Sequence, residues 1–181
     1  MTTRKISAAD YVAAETLKNG LAVSVRALRP DDREKVAAAV RSLDRQSIYY
    51  RLFGHRGELT EAGLDRIMRF DPEREVVLLV TTGAGTEEKV IGSARYVVIS
   101  PQRADVAFMV EEDYHGQGIA SRLLRHLARV ARDQGITTFE ADVLAENRAM
   151  RNVFARTGWP METARDGSAV HVTLTLPDAE S

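Results

Sequence analysis

The sequence contains no cysteine, and this absence removes several classes of chemistry. Among 181 residues there is no thiol, so disulfides, thiolate metal ligands and a cysteine nucleophile are excluded together. A thioester substrate would have to react by direct transfer or through another nucleophile. The four histidines, His55, His115, His126 and His171, lie far apart and show none of the short spacings of metal ligands. We therefore expect no metal site, and we interpret these histidines as surface or helix residues.

An excess of charge of one sign and long apolar runs are also missing. The chain has 25 Lys+Arg against 26 Asp+Glu, a formal net charge of -1, and neither sign accumulates at one end, so no electrostatic footprint for DNA or an anionic membrane appears. No apolar run approaches the length of a bilayer span, and residues 1–7 are not followed by the apolar region of a signal peptide. We expect no nucleic-acid partner, no membrane partner and a cytoplasmic location.

What the chain does contain is enough apolar sequence to build a core. Hydrophobic residues make up 44% and charged residues 28%, which is typical of a globular protein and not of a disordered chain. The length fits one domain of ordinary size. One globular domain is therefore the working hypothesis.

Strands are predicted from one alternating run near the start of the chain and from later runs that are apolar or rich in β-branched residues. Asn19-Gly20 favours a tight hairpin turn and precedes a first strand at about 21–27. Further strand-like runs lie at 76–80, 90–99, 105–110, 137–144 and 170–176. The runs between 76 and 110 follow one another closely, so they predict an antiparallel meander with short loops.

Helices are predicted in five segments. Pro30-Asp31-Asp32 suits the first turn of a helix with Val36, Val40 and Leu43 on one stripe. Others are expected at 48–53 ending at Gly54, at 60–68 with Thr60 as cap, and at 147–156 ended by Gly158. The most regular pattern is at 118–134, where apolar residues recur at three- and four-residue steps before Gly135. The element order is mixed α/β.

A glycine pair between a strand and this regular helix carries the strongest chemical signal. The strand at 105–110 leads through an acidic loop into Gly116-Gln117-Gly118 and then the helix. Glycine lets the backbone curl round an anion, and the unpaired N–H groups of the helix point to the same place. A diphosphate would fit there, although a plain turn before a helix is the alternative. A Rossmann site would need a third glycine where Ser121 stands, and no P-loop lysine follows the glycines.

The segment His115-Gly116-Gln117-Gly118-Ile119-Ala120 resembles the first signature of the GNAT superfamily of acetyl-CoA-dependent N-acetyltransferases. It departs only at His115, where the family has Gln or Arg. The segment 147–159 resembles the second signature, an Asn opening a helix that ends in Gly followed by an aromatic residue. The resemblance implies the α/β (α+β) GNAT fold, a central mixed, mostly antiparallel twisted sheet of about seven strands flanked by helices. It divides the chain into an N-terminal extension at 1–20, a GNAT acetyltransferase domain at 21–177 and a tail at 178–181.

The same resemblance implies acetyl-CoA as co-substrate, without a metal, and a set of residues that bind it. These come from the strand, the glycine loop and the later helix, and are Phe108, Met109, Val110, His115, Gly116, Gln117, Gly118, Ile119, Ala120, Ser121, Asn147 and Phe154. Two other interpretations stay open. Phe108 and Phe154 would equally suit a core, and Asn147 is a good helix cap in its own right.

Amine acylation needs a neutral nitrogen, so a nearby carboxylate or histidine is expected as general base. Protein-lysine acetyltransferases of this superfamily often carry a Glu at the start of the strand before the loop, and here Asp105 stands there, one methylene shorter. Other members of the family take a Glu from the next strand, five positions before the Asn, so the resemblance makes Asp142 the second candidate. Glu111 and Glu112 are expected to be solvated loop acids, and Glu140 shares a strand face with Asp142.

The departing thiolate has no obvious proton donor in the sequence. The family commonly uses a tyrosine in the last helix, and the matching position is Phe154, which carries no proton. Tyr114, another group or water would serve instead. A CoA thiol is acidic enough that the loss of a dedicated acid need not stop turnover.

The first half of the chain narrows the choice of acceptor. Segments 25–32 and 47–54 resemble the acetyltransferase domain of bacterial Pat-type protein lysine acetyltransferases, which implies a protein lysine as acceptor. Separately, we expect a monomer or homodimer. The chain length leads us to expect no fused regulatory domain. A small-molecule amine acetyltransferase acting on polyamines, aminoglycosides or amino acids is the first alternative. A non-catalytic acetyl-CoA-binding module is the alternative of another class.

Overall fold

Eight strands and four α-helices make up the part of the chain described by the computed structural model, residues 8–41, 61–111, 114 and 116–178. The strands are β1 (Val12–Thr16), β2 (Ala22–Ala27), β3 (Glu75–Thr82), β4 (Lys89–Ser100), β5 (Arg103–Val110), β6 (Thr138–Leu144), β7 (Met161–Asp166) and β8 (Ala169–Thr175). The helices are α1 (Arg33–Arg41), α2 (Glu61–Met68), α3 (Ile119–Asp133) and α4 (Arg148–Ala155). This is the α/β composition that the sequence predicts.

The strands form one mixed sheet in the order β1-β2-β3-β4-β5-β6-β8-β7. Every neighbouring pair is antiparallel except β5 and β6, which are parallel. The predicted meander of the runs between 76 and 110 is confirmed, because β3, β4 and β5 follow one another along the sheet. The single parallel pair lies where the chain crosses over through α3.

Two of the eight strands, β1 and β7, have no counterpart among the six strand runs predicted from the sequence. β1 lies within the segment 1–20 and pairs with β2 from Val12 opposite Arg26 to Thr16 opposite Ala22. The predicted turn at Asn19-Gly20 joins them, and Gly20 has the positive φ of 87° that this turn needs. β7 is exposed along its whole length. It therefore has no apolar face from which alternation could have revealed it.

The predicted helices are confirmed wherever the structure describes them. α1 begins at Arg33, directly after a 3-10 turn at Pro30–Asp32. The predicted helix at 48–53, its end at Gly54, the cap Thr60 and the stripe residue Leu43 lie outside the described residues. Within the described ranges, none of the helices combines the length and the apolar character that crossing a membrane requires.

The two faces of the sheet carry different helices. α3 and α4 cover one face, where Leu123, Leu127 and Phe154 pack on Ile91 and Phe139. α1 and α2 lie against the other face in a smaller core that includes Val36, Val40, Leu64, Val77, Leu79 and Met109. Alternate residues of a strand point to opposite faces. Each residue of β5, β6 and β8 can therefore be assigned to one face.

A buried ionic cluster joins β2 to the start of α1. Arg26 and Asp32 are 3% and 1% exposed, and the guanidinium donates two hydrogen bonds to the carboxylate, at 2.7 and 2.8 Å. Arg26 also donates to Glu88 at 2.8 and 3.2 Å, and Lys35 Nζ donates to Glu88 at 2.9 Å. Asp32 further accepts the Arg29 N–H at 2.7 Å.

These bonds set the protonation states of the cluster. Burial by itself would raise the pKa of Asp32, but the hydrogen bonds from Arg26 and the Arg29 N–H bring it below its usual value. The hydrogen bond from Arg26 is the main reason that the pKa of Glu88 falls to about 2. Both carboxylates are therefore charged at neutral pH, and they compensate the buried guanidinium.

Candidate active site

The ladder between β5 and β6 is short, and the two strands part where it ends. Arg103, Ala104 and Asp105 pair with Thr138, Phe139 and Glu140. Beyond this point β5 continues along β4 to Val110, while β6 continues along β8 to Leu144. The two strands therefore leave an opening between them in the middle of the sheet.

The main chain of β5 faces this opening at Phe108. The Glu111 N–H donates to the Ile91 carbonyl of β4 at 2.9 Å, and hydrogen-bonding direction alternates along a strand. The N–H and C=O of Phe108 therefore point to the side that β6 has left. Such an edge can bind an extended chain that carries amide groups.

The glycine loop lies between this opening and α3. Gly116 and Gly118 have φ angles of 81° and 84°, a backbone that other residues rarely adopt. Gly118 is the N-cap of α3 and supplies no side-chain hydrogen bond to the first turn. The unpaired N–H groups and the positive end of the helix dipole are thus directed at one place, as anion binding requires. His115 lies outside the described residues.

The strand residues predicted to contact the cofactor do not share a face. Phe108 and Val110 pack on the α3/α4 side, whereas Met109 belongs to the core on the α1/α2 side. The rings of Phe108 and Phe154 meet edge to face with centroids 6.0 Å apart. Phe154 is only 1% exposed, so its ring contributes to the core. The cofactor contacts of these residues stay predictions.

The remaining predicted contacts concern the two helix starts. Ile119 is buried, so only its main chain is available to a ligand, whereas Gln117, Ala120 and Ser121 are half-buried. Asn147 caps α4, because its Oδ1 accepts the Met150 N–H at 3.2 Å. The cap interpretation of Asn147 is therefore confirmed, and a cofactor role stays a prediction.

Three carboxylates and one histidine meet on the α1/α2 face, at the end of the β5–β6 ladder. Asp105 is the register partner of Glu140, and Asp142 is the register partner of His171. His171 Nδ1 lies 2.7 Å from Asp142 Oδ1, and Nε2 lies 3.0 Å from Glu140 Oε1. Arg103 Nη1 is 3.6 Å from Glu140 Oε2. Both candidate bases thus belong to one cluster, which we call the acidic cluster: Asp105, Glu140, Asp142 and His171.

The acidic cluster shifts the protonation of two of its members. Although solvent reaches much of the residue, the protein around Asp105 excludes part of the water from its carboxylate and raises its pKa. The charges of Asp142 and Glu140 raise it further, against the effects of Arg95 and His171. Hydrogen bonds to Asp142 and Glu140 raise the pKa of His171. Asp105 is therefore a stronger base than an ordinary aspartate.

Two side chains differ from their sequence-based interpretation. Glu111, expected to be a solvated loop acid, is 4% exposed, and Lys89 Nζ donates to its Oε1 at 3.0 Å. That prediction was wrong because the main chain of Glu111 still bonds to β4, which keeps the side chain inside. Glu112 lies outside the described residues. His171, interpreted as a surface or helix residue, does have a side chain that is 39% exposed, but it lies in β8, and its place in the acidic cluster was not predicted. The buried alternation of Val170, Val172 and Leu174 was the available signal for its face.

Comparison with known sequences agrees with this geometry. The model of the acetyltransferase (GNAT) family matches residues 40–159. An acetyltransferase of Pseudomonas aeruginosa is 29% identical over 155 residues, covering 85% of this chain and 83% of that protein. The acetyltransferase Pat of Mycolicibacterium smegmatis is 33% identical over 136 residues, covering 74% of this chain and 40% of Pat. This chain therefore matches less than half the length of that relative.

Solved structures show the same relationship. The crystal structure of the GNAT domain of S. lividans PAT superposes with a TM-score of 0.82 and 30% identity, covering 91% of this chain and 97% of that domain. A cAMP-binding acyltransferase from Mycobacterium smegmatis gives a TM-score of 0.64 and 29% identity, covering 96% of this chain and 49% of that protein. With the family model matching well over half of its residues, the chain belongs to the GNAT family of acetyl-CoA-dependent acetyltransferases.

Proposed function

We propose that this acetyltransferase moves the acetyl group of acetyl-CoA directly to the side-chain amine of a protein lysine. The observation that carries the proposal is the acidic cluster, which lies where β5 and β6 part. The acetyltransferase relatives named Pat and PAT support a protein acceptor, together with the Pat-like segments of the N-terminal half. Because the chain contains no cysteine, transfer through a thiol of the enzyme is excluded.

The glycine loop and β5 would hold the acetyl-CoA. The N–H groups at residues 116–121 suit the pyrophosphate, and the Phe108 main chain suits an amide of the pantetheine arm. Bound in this way, acetyl-CoA supplies a thioester carbonyl that is activated towards an amine. Holding both reactants in one opening replaces a bimolecular encounter by an oriented one.

Asp105 is the proposed general base. A lysine amine has a pKa of about 10.4 and is protonated at neutral pH, so it must lose a proton before or during attack. Asp105 would take this proton directly or through a water molecule, and its raised pKa makes it better suited to do so. Asp142 is the second candidate, although its hydrogen bond with His171 already occupies one of its oxygens.

The charge of the acidic cluster favours a cationic acceptor. Its three carboxylates are only partly compensated by His171, Arg103 and Arg95, so they attract an ammonium group to the opening. Lysine side chains and small polyamines share this chemistry, so the charge alone does not separate them.

Tyr114 is a candidate to protonate the departing thiolate, as is water. Tyr114 is half-buried, and the Nζ of Lys89 lies 5.6 Å from the centroid of the tyrosine ring. A cytoplasmic location and a monomeric or homodimeric state stay predictions.

The acceptor class is tested by comparing kcat/KM for a lysine-containing protein with the values for polyamines, aminoglycosides and free amino acids. We expect the lysine-containing protein to give the highest kcat/KM, with the acetyl group located on lysine by mass spectrometry. Reactions without enzyme correct for spontaneous acetylation. A small amine that exceeds the protein acceptor by about tenfold, a difference of about 1.4 kcal/mol in transition-state stabilisation, would identify the enzyme as a small-molecule acetyltransferase.

A further inference from the structure

Arg122, in the first turn of α3, turns back onto the glycine loop. Its Nη1 donates to the carbonyl oxygens of Gln117 at 3.3 Å and Gly118 at 3.1 Å, and its Nη2 donates to the Thr16 carbonyl of β1 at 2.9 Å. In a trans peptide the C=O and the following N–H point in opposite directions. Arg122 holds these two carbonyls on the side of the hairpin formed by β1 and β2. The N–H groups that follow them, those of Gly118 and Ile119, therefore point to the opposite side, towards the anion site.

A carboxylate of β1 fixes Arg122 in this position. Glu15 Oε2 lies 3.5 Å from Arg122 Nε, and Glu15 Oε1 lies 2.7 Å from His126 Nε2. His126 is one turn further along α3, so both partners of Glu15 are on the same helix face. His126 Nδ1 in turn hydrogen-bonds with the Tyr11 hydroxyl at 2.5 Å. A continuous set of polar contacts thus runs from the strand β1 to the glycine loop.

Lys18, in the turn between β1 and β2, lies beside the same loop. Its N–H donates to the Gln117 carbonyl at 3.4 Å. Its Cε is 3.5 Å from the position that a Cβ on Gly118 would occupy, and the ammonium is one bond further on. The turn between β1 and β2 therefore brings a cation next to Gly118, at the edge of the glycine loop.

We propose that the β1–β2 hairpin is part of the pyrophosphate site, with Arg122 as the positioning residue of the glycine loop and Lys18 as a cation that binds phosphate oxygens. This rests on the proposed binding of pyrophosphate at the loop. Arg122 acts through the carbonyls of Gln117 and Gly118, whereas Lys18 acts on the ligand itself. The hairpin thereby contributes to cofactor affinity without taking part in the chemical step.

The test compares acetyl-CoA with acetyl-pantetheine, which carries the same thioester but no diphosphate. Lys18→Met and Arg122→Met are each expected to raise KM for acetyl-CoA by about tenfold, typical of losing a charge-assisted hydrogen bond. We expect kcat to stay within about twofold, because binding to the diphosphate is equally strong in the ground state and the transition state. KM for acetyl-pantetheine should stay unchanged, because this substrate has no diphosphate. Arg125→Met removes the same charge from an exposed position on α3 and should leave both KM values unchanged.

Two further variants separate positioning from simple charge. Arg122→Lys keeps the charge but loses the fork that bridges two carbonyls and β1, so it should raise KM for acetyl-CoA as Arg122→Met does. Glu15→Gln should raise it too, although Glu15 would repel a phosphate. Parental KM in Arg122→Lys, or a lower KM in Glu15→Gln, would overturn the positioning role. Thermal unfolding without ligand confirms that each variant is folded.

Gly118→Val distinguishes failure of this proposal from failure of the loop assignment. Its Cβ would lie 2.3 Å from Arg122 Nη1, and it should abolish the stabilisation of the fold by acetyl-CoA. Gly135→Val is the matched control, since Gly135 has a similar φ of 90° and open space for a Cβ at the other end of α3. If Gly118→Val weakens the binding of acetyl-CoA but the Lys18 and Arg122 variants do not, the hairpin proposal is wrong and the loop assignment stands. If Gly118→Val also binds acetyl-CoA as the parent does, the loop assignment itself is wrong.

Discussion

Asp105→Asn is expected to lower kcat/KM by about 10²-fold or more at neutral pH, because it removes the proposed general base while keeping size and polarity. The affinity for acetyl-CoA should change little, since Asp105 lies on the α1/α2 face and the glycine loop at the start of α3. Initial rates of CoA release over a range of acceptor concentrations measure the effect. Thermal unfolding with and without acetyl-CoA measures the affinity.

The loss should depend on pH in a defined direction. As the pH rises, a larger share of the acceptor amine is neutral without help, so the deficit of Asp105→Asn should shrink. In the parent, activity should fall as the pH drops through the raised pKa of Asp105, because a base acts only when ionised. Asp105→Asn should lack this acidic limb.

The stability of the same variant provides a separate check. Folding raises the pKa of Asp105, so its ionised form disfavours the folded state at pH values above that pKa. Replacing it by asparagine should therefore leave the melting temperature unchanged or raise it. A loss of activity that follows a loss of stability would argue for a structural role instead.

Asp142→Asn is the matched control, because Asp142 belongs to the same cluster with a side chain 52% exposed. Its charge raises the pKa of Asp105, so its removal should shift the acidic limb of activity to lower pH with a smaller loss at neutral pH. If Asp105→Asn keeps parental activity from about pH 6 to 9 while Asp142→Asn loses it, the base lies on β6. The Pat-like interpretation then weakens as well.

The largest expected effect on stability is that of Asp32→Ala. It leaves the 3% exposed Arg26 without its bidentate partner, and removing one member of a buried ion pair costs about 3–5 kcal/mol. The Arg29 N–H also loses its acceptor. Urea unfolding of parent and variant gives the difference in the free energy of unfolding.

Asp65→Ala is the control for an exposed ion pair. Asp65 pairs with Arg33, and their side chains are 40% and 33% exposed, so its removal should cost about 0–1 kcal/mol. Similar small losses in both variants would show that the Arg26 cluster does not stabilise the fold.

The Arg26 cluster also makes stability depend on pH, because folding lowers the pKa values of Asp32 and Glu88. Their contribution is complete above about pH 4.5 and is lost as the pH falls towards the value of about 2 for Glu88.

Local patterns were sufficient to predict the elements that we propose hold the cofactor. The positive φ angles of Gly116 and Gly118 and the apolar stripe of α3 are properties of one short segment, so the sequence predicts them without knowledge of the fold. The predicted meander follows in the same way from three apolar or β-branched runs that lie close together in the sequence and form β3 to β5. β7 escaped prediction because all its residues are exposed, and an edge strand of this kind has no apolar period.

Contacts between distant segments could not be predicted from these patterns. The role of His171 depends on the register that places it opposite Asp142, and no local signal gives that register. The bond from Arg122 to the Thr16 carbonyl spans 106 positions of the chain. The burial of Glu111 likewise depends on a bond to β4. These features arise from tertiary packing, which decides where a polar side chain ends up.

Direct acetyl transfer is tested most simply by following both products of one reaction. Parent enzyme, acetyl-CoA and a cysteine-free, lysine-containing acceptor are mixed, and a thiol reagent measures free CoA. The enzyme adds no thiol signal of its own, because it has no cysteine. Mass spectrometry counts acetyl groups on the acceptor and on the enzyme. We expect one CoA for each acetyl-lysine, at a rate above that without enzyme, and no acetylated enzyme intermediate. A protein that is stabilised by acetyl-CoA but releases no CoA above the background rate with any amine would contradict the proposed transfer and identify an acetyl-CoA-binding module.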